Sequence, residues 1–320
     1  MTFCRHIRLC DRINELKVTG GMRVTAQQDR AEALGRRVIN AGGVSSARVI
    51  DLIADGMQHE VIVIDGTWVA RFPRDALAEE SLRNEVVLLE YARRFVDGPT
   101  PRLQLLDGFS LHRLLPGRPT TRGALENLPK AAANRVVTEL GALLRNLHSA
   151  PVDDSLPTSV TKSRDEWQHL HDRAKHVIGP YLWRHQRDWL DELFDPVLTN
   201  ALTLDYRPSV VHADLASYHV LHDPQTGQLS GVIDFGVAGV GDPAIDLACL
   251  FSSWGESRCS ALLDSYPEIV GLATRARFYA AALPVEWAIA GIEGEAPEMM
   301  VAQLGHVASD LNPPQSPFGS

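Results

Sequence analysis

The stretch VVHADLASYHVLHDPQTGQLSGVIDFG, residues 210–236, constrains the fold of this chain more than any other. An apolar run ends in Asp214. A second apolar run follows after a short interval, and a third ends in Asp234, twenty positions on from the first acid. Short β-rich runs bounded by turn residues read as strands, and Gly236 lets the chain turn sharply after the second acid. The spacing predicts a hairpin that delivers both carboxylates to one end. Taken singly, each Asp is equally explained as a turn or cap residue.

The pattern upstream divides the chain. Apolar positions at helical spacing predict a helix over 27–41. SARVIDLIADGMQHEVIVIDGTWVARFPR reads as three strands, with Asp65-Gly66 a strong hairpin signal because such a two-residue turn needs positive φ. A helix follows over 77–95 with Leu82, Val86 and Leu89 on one stripe, then two short strands ending at Leu115-Pro116-Gly117. Beyond it the character is helical, over 130–148, 167–177, 182–198 and, after the quoted segment, to about residue 309. We expect an α+β chain with a poorly patterned extension (1–24), a β-rich lobe (25–114), a larger, mostly helical lobe (115–309) and a disordered Pro/Ser-rich tail (310–320). Ligand sites favour the cleft between two such lobes. At 320 residues the chain has the material for both.

Bulk properties narrow the partners. A net charge of −9 argues against nucleic acid and suits a neutral or cationic ligand. Cys4, Cys10, Cys249 and Cys259 form no C-x-x-C pair, so neither a zinc site nor a disulfide framework is expected. No run is long and apolar enough for a membrane span, and the charged first twenty residues do not read as a secretory signal. The expectation is a cytoplasmic monomer, with Met22 an alternative start to Met1.

Two acids delivered to one cleft can divide a reaction between them. One orients or deprotonates a hydroxyl and the other holds a divalent cation, the pairing that phosphoryl transfer requires. The motifs bear this out as a resemblance. His212-Ala213-Asp214-Leu215, His219-Val220-Leu221, Gly231-Val232-Ile233-Asp234-Phe235-Gly236 and Gly241-Asp242-Pro243-Ala244-Ile245-Asp246-Leu247-Ala248 resemble the aminoglycoside and macrolide phosphotransferase family, small-molecule kinases of the protein-kinase-like two-lobe fold. Trp68-Val69-Ala70-Arg71-Phe72 followed by Glu85-Val86-Val87 matches the family's N-terminal lobe.

The resemblance implies that Asp214 is the catalytic aspartate and that Asp234 binds Mg²⁺ with His219 as second ligand. The commoner family pattern has Asn at that last position, and the aminoglycoside 2''-type and macrolide members are similar to this chain in carrying His. Mg²⁺ is hard and prefers oxygen donors, so a histidine that only hydrogen-bonds Asp234 or a phosphate is the competing expectation. Arg71 stands where protein kinases carry a lysine, with Glu85 its partner, and Arg74 is a weaker competitor. Leu111 and Arg113, where the lobes join, are expected to contact the nucleotide, ATP or GTP. The loop Asp55-Gly56-Met57-Gln58-His59 should cover the phosphates, yet it has a single glycine. His212 and Asp246 should brace the catalytic loop, and Asp242 before Pro243 reads as a helix cap.

For the acceptor, helices bearing Trp167, Tyr181, Trp183 and Trp189, and a later stretch with Glu286, Glu293, Glu295 and Glu298, are expected to border the pocket. Trp183, Glu286 and Glu293 are the candidate contacts. The equally good alternatives are ordinary core for the tryptophans and a solvated face for the glutamates. The implied activity is transfer of a γ-phosphate to a hydroxyl of an antibiotic-like small molecule. A choline- or homoserine-like metabolic kinase and a non-catalytic nucleotide-binding relative are the alternatives. A haloacid-type phosphatase is excluded, since no N-terminal Asp-x-Asp follows a strand.

Overall fold

The computed structural model describes residues 24–53, 58–159 and 161–294. Residues 1–23 of the expected extension, residues 55–57 of the expected phosphate loop, residues 295–309 of the expected helical stretch, with Glu295 and Glu298, and the tail all lie outside the described residues.

Helix α1 (Val24–Asn40) precedes a five-stranded antiparallel sheet of order β1-β2-β3-β5-β4. Its strands are β1 (Ile50–Ile53), β2 (His59–Ile64), β3 (Trp68–Pro73), β4 (Gln104–Leu106) and β5 (Phe109–Arg113). The Asp65-Gly66 turn forms as expected, with φ of 50° and 59°, and Asp65 Oδ1 accepts from the backbone N–H groups of Arg48 and Val49. Period-2 alternation sends Ala70, Phe72, Phe109 and Leu111 to one face, where they pack with Leu34 and Val38 of α1 in a small core. Arg71, Ser110 and His112 alternate with them and so share the opposite face.

Helix α2 (Ala76–Ala92) is N-capped by Asp75, whose Oδ1 accepts from the Ala78 N–H at 2.8 Å. Leu88 and Leu89 of its buried stripe belong to the large helical core, while Glu85, on the same buried stripe, reaches Arg71 of the sheet. One helix therefore touches both halves of the molecule. The helical half contains β6 (Arg118–Pro119), α3 (Arg122–Asn127), α4 (Lys130–Ser149), α5 (Arg164–Val177), α6 (Arg184–Leu198), α7 (Ala244–Trp254) and α8 (Ala273–Glu293). The fold is that of a protein-kinase-like chain, a β-sheet region followed by a helical one.

The quoted segment forms not one hairpin but parts of two small sheets. Strand β7 (Ser209–Val211) pairs with β10 (Gly239–Gly241), and β8 (Val220–His222) pairs with β9 (Leu229–Val232) and β6. The reason lies downstream. Gly239 and Gly241 have no side chains, and a Cβ at Gly239 would sit 2.4 Å from the Pro157 carbonyl oxygen. Residues 157–159 can thus lie against β10, exchanging Ser159 N–H to Val240 O and Val240 N–H to Pro157 O bonds. The two acids still converge, because one follows β7 and the other follows β9.

Candidate active site

Strand β7 runs into a loop that the chain holds by side chains rather than by a ladder. Ala213 takes φ of 63°, a left-handed conformation that costs a non-glycine residue roughly 1–2 kcal/mol. Asp246, in the first turn of α7 and fully buried, holds it there. Its Oδ2 accepts from the His212 N–H at 3.0 Å and its Oδ1 from the Ala213 N–H at 2.7 Å. His148 of α4 donates from Nε2 to the same carboxylate at 3.0 Å. Burial alone would raise the Asp246 pKa, but these donors and the His148 and His212 rings together hold it below the usual carboxylate range.

The His212 ring links the two acids. Its Nε2–H donates to the carbonyl of Ile233 at 3.0 Å, and its Nδ1 accepts from the Asp214 N–H at 3.2 Å. That pair of bonds defines the neutral tautomer, and burial first of all pushes the ring's pKa down to about 4. The residue before Asp234 is thereby tied to the backbone of Asp214. The bracing expected of His212 and Asp246 is what the geometry gives.

Asp234 also takes a left-handed backbone, with φ of 67°. After it, Phe235 is buried against the His212 ring, centroids 4.4 Å apart, and its N–H donates to Glu85 Oε1 at 3.2 Å. The Gly236 carbonyl accepts from Ser81 Oγ at 2.6 Å. Glu85 is hydrogen-bonded to Arg71, and Arg71 Nη1 lies 3.6 Å from Asp234 Oδ1. Arg71 Nε also points at Ser110 Oγ, 3.5 Å away. Arg71, Glu85 and Asp234, far apart in the chain, thus form one constellation. Arg74 lies exposed beyond the end of β3.

His219 closes the site. Its Nδ1–H donates to the Asp214 carbonyl at 2.7 Å and lies 3.7 Å from Asp214 Oδ2, while its Nε2 is 3.3 Å from Asp234 Oδ2. Burial works against its charge, yet the hydrogen bond and charge of Asp234, with Asp214 adding to them, raise its pKa to about 9. The Asp214 pKa rises too, which for an acid favours the neutral form. Burial, then the negative charges of Asp234 and Asp246, outweigh His219 and raise it to about 6.

The residues present fit a hard divalent cation in part. Among the described residues no group of three His, Cys, Asp or Glu side chains converges as a ligand set. Asp234, its side chain partly exposed, offers oxygen, and the tie from Nδ1 to Asp214 leaves Nε2 of His219 as the nitrogen able to ligate once deprotonated. Two protein ligands with phosphate oxygens completing the sphere is the usual way a protein holds Mg²⁺ beside a nucleotide.

Other expected residues land differently. Leu111 faces the small core behind the sheet, so only its backbone can meet a nucleotide; strand parity, invisible in a motif, decides this. Arg113 stacks its guanidinium over the Trp68 ring at 4.0 Å. Trp183 is 74% exposed at the start of α6, whereas Trp167 is core, packed on Phe194, Phe278 and Tyr279. Glu286 pairs with Lys162 at 2.9 Å and Glu293 with Arg173. Asp242 is no simple cap. It accepts the Ala244 N–H at 2.9 Å, and also a two-pronged contact from Arg275 at 2.7 and 3.0 Å and the Tyr279 hydroxyl at 2.9 Å. Sequence reasoning missed Ser81, His148, Arg275 and Tyr279, each of which meets its partner only through packing of distant segments.

Comparison with known proteins bears on the family and the fold. The family model described as "Phosphotransferase enzyme family" matches residues 49–280. The chain is 30% identical over 159 residues to viomycin phosphotransferase of Streptomyces vinaceus, a match covering 47% of this chain and 51% of that protein, so it spans about half the length of that relative. Its fold is similar to the GDP and kanamycin complex of APH(2")-IIia, with TM-score 0.78, 22% identity and coverage of 87% of this chain and 98% of that one. It is also similar to macrolide 2'-phosphotransferase from Brachybacterium faecium, with TM-score 0.65, 20% identity and coverage of 90% and 99%.

Proposed function

Since the chain belongs to the phosphotransferase enzyme family, we propose that it is a Mg²⁺-dependent O-phosphotransferase, moving the γ-phosphate of ATP or GTP to a hydroxyl of an aminoglycoside or macrolide-like small molecule. The observation that carries this reading is the convergence of Asp214, His219 and Asp234 with the buried Arg71–Glu85 pair. Half-buried Asp214 accepts the hydrogen bond of the acceptor hydroxyl and takes its proton as the oxygen attacks. Its elevated pKa makes it a better base than an ordinary carboxylate while leaving it ionised at neutral pH. Arg71, oriented by Glu85 and Ser110, presents its planar fork to phosphate oxygens and stays charged at any working pH. Asp234 and His219 would hold the cation, which when bound neutralises charge on the transferring phosphoryl group.

On the acceptor side, Glu286 and Glu293 supply carboxylates and exposed Trp183 an aromatic face. Both carboxylates are paired with cationic side chains, so an ammonium group of an acceptor can take over a contact that Lys162 or Arg173 now makes. The kanamycin complex and viomycin activity of the similar proteins favour a cationic acceptor; the macrolide enzyme keeps an apolar one in view.

The test is a nucleotide-turnover screen with Mg²⁺, ATP or GTP, and a panel of aminoglycosides, viomycin-like peptides, macrolides, choline and homoserine. Turnover dependent on one antibiotic class is expected. Turnover only with choline or homoserine would replace the proposal with a metabolic kinase, and nucleotide binding without turnover on any acceptor would leave a non-catalytic relative.

A further inference from the structure

Asp234 stands where the chain changes its anchorage. Its left-handed φ of 67° is a conformation that a residue with a side chain keeps only when its neighbours are held. Upstream, both backbone groups of Ile233 are tied to the catalytic loop. The N–H donates to the His219 carbonyl at 2.9 Å, and the carbonyl accepts from His212 Nε2 at 3.0 Å. Downstream, the chain is tied to α2 instead. The Phe235 N–H donates to Glu85 Oε1 at 3.2 Å, and the Gly236 carbonyl accepts from Ser81 Oγ at 2.6 Å. Ser81 and Glu85 are four positions apart and so are neighbours on one face of the helix.

Two details mark the Ser81 contact as built into the site. A hydroxyl inside a helix has a partner on its own backbone, the carbonyl three or four residues back, yet Ser81 donates to a carbonyl 155 positions away. Gly236, for its part, does not take a left-handed φ, and what its missing side chain provides is room. A Cβ there would lie 3.1 Å from Ser81 Oγ and 3.5 Å from Asp234 Oδ1.

We infer that Ser81 is a positioning residue for Asp234: by holding the Gly236 carbonyl to α2, it keeps the strained aspartate turned toward His219 and Arg71, where it can take a divalent cation. The inference rests on the phosphotransfer reading above. Asp234 Oδ2 lies 3.3 Å from His219 Nε2 and Oδ1 lies 3.6 Å from Arg71 Nη1, so a relaxed φ would swing the carboxylate away from both. Without Ser81, the tie from this loop to Glu85 remains, and Glu85 divides its carboxylate between Phe235 and Arg71.

The test measures ATP and GTP affinity by calorimetry in Mg²⁺ and in EDTA, for the unsubstituted protein and for Ser81→Ala, Ser81→Thr and Ser81→Cys. The quantity read is the gain in affinity that Mg²⁺ supplies. Ser81→Ala should lower that gain roughly five- to tenfold, as loss of one hydrogen bond does, while affinity in EDTA stays as it was. Ser81→Thr keeps the hydroxyl and should restore most of the gain, a rescue that a role in helix packing alone would not produce. Should the alanine variant fail to fold, Ser81→Cys, nearly the same in shape but a weak donor, carries the same expectation. An undiminished gain in Ser81→Ala or Ser81→Cys, an equal loss in Mg²⁺ and in EDTA, or a loss in Ser81→Thr as large as in Ser81→Ala would overturn the assignment while leaving the phosphotransfer reading intact. An unsubstituted protein whose nucleotide affinity did not respond to Mg²⁺ would bring down the metal role of Asp234 and this inference with it. One that bound no nucleotide at all would bring down the phosphotransfer reading too.

Discussion

At the scale of single residues, the site separates two acids by their surroundings. Asp234 is faced by cationic Arg71 and His219, whereas Asp214 has burial and two acidic neighbours against one histidine. The pKa of Asp214 is about 6, above that of an unfolded-chain aspartate. The stability tied to holding that proton is therefore complete in acid and lost as pH rises from about 4 through about 6. Asp214→Asn, which never ionises, should show a melting temperature that gains on the unsubstituted protein across that window and stays ahead above it. Turnover by the unsubstituted enzyme should rise over the same pH range as the base loses its proton, and a flat profile from about pH 5 to 8 would remove Asp214 as the base. Both acids were legible in the sequence because each sits in a short local motif. Ser110 was not, since a strand residue's face is fixed by register with its neighbours.

Elements are joined by buried carboxylates. Asp246 gathers the catalytic loop, α7 and, through His148, α4, which itself meets the Tyr266 hydroxyl at 3.1 Å. Asp246→Ala would leave two loop N–H groups and the His148 donor unpaired at a fully buried position. A loss of about 3–5 kcal/mol is expected by denaturant unfolding, and a loss below about 1 kcal/mol would mean the loop does not depend on it. Asp242 performs the corresponding service for α8. Arg275→Met should destabilise strongly by stranding that carboxylate, and adding Asp242→Leu should recover part of the loss, a coupling that a double-mutant cycle measures directly. The cap reading of Asp242 caught only its bond to Ala244, because the arginine that dominates its surroundings arrives from a helix 33 residues away. The longer helices before the quoted segment were legible from their apolar periodicity, whereas the six-residue α3, too short to show a period, was not. The pairing of β7 with β10 was not, because it depends on what glycines let approach.

Across the whole molecule, two hydrophobic cores meet along α2, whose Leu88 and Leu89 pack into one while Glu85 binds Arg71 of the sheet that bounds the other. Nucleotide bound between them would stabilise the folded state by mass action, by about 2.7 kcal/mol at a hundredfold excess over Kd. A rise of several degrees in melting temperature with ATP or GTP plus Mg²⁺ is expected, reduced when EDTA replaces the metal. No helix among the described residues is long and apolar enough to cross a membrane. The two-part architecture was readable from the change of pattern near residue 115, whereas the acceptor surface was not, since the partners of Glu286 and Glu293 come from other elements. The central claim is that Asp214 handles the acceptor's proton beside a phosphate-binding centre. It is tested most directly by following radiolabelled γ-phosphate into the acceptor with the unsubstituted protein and with Asp214→Asn, nucleotide affinity being measured on the same preparations. The account predicts undiminished nucleotide binding and transfer lowered by about 10²–10⁴-fold in Asp214→Asn; transfer close to that of the unsubstituted protein would contradict it.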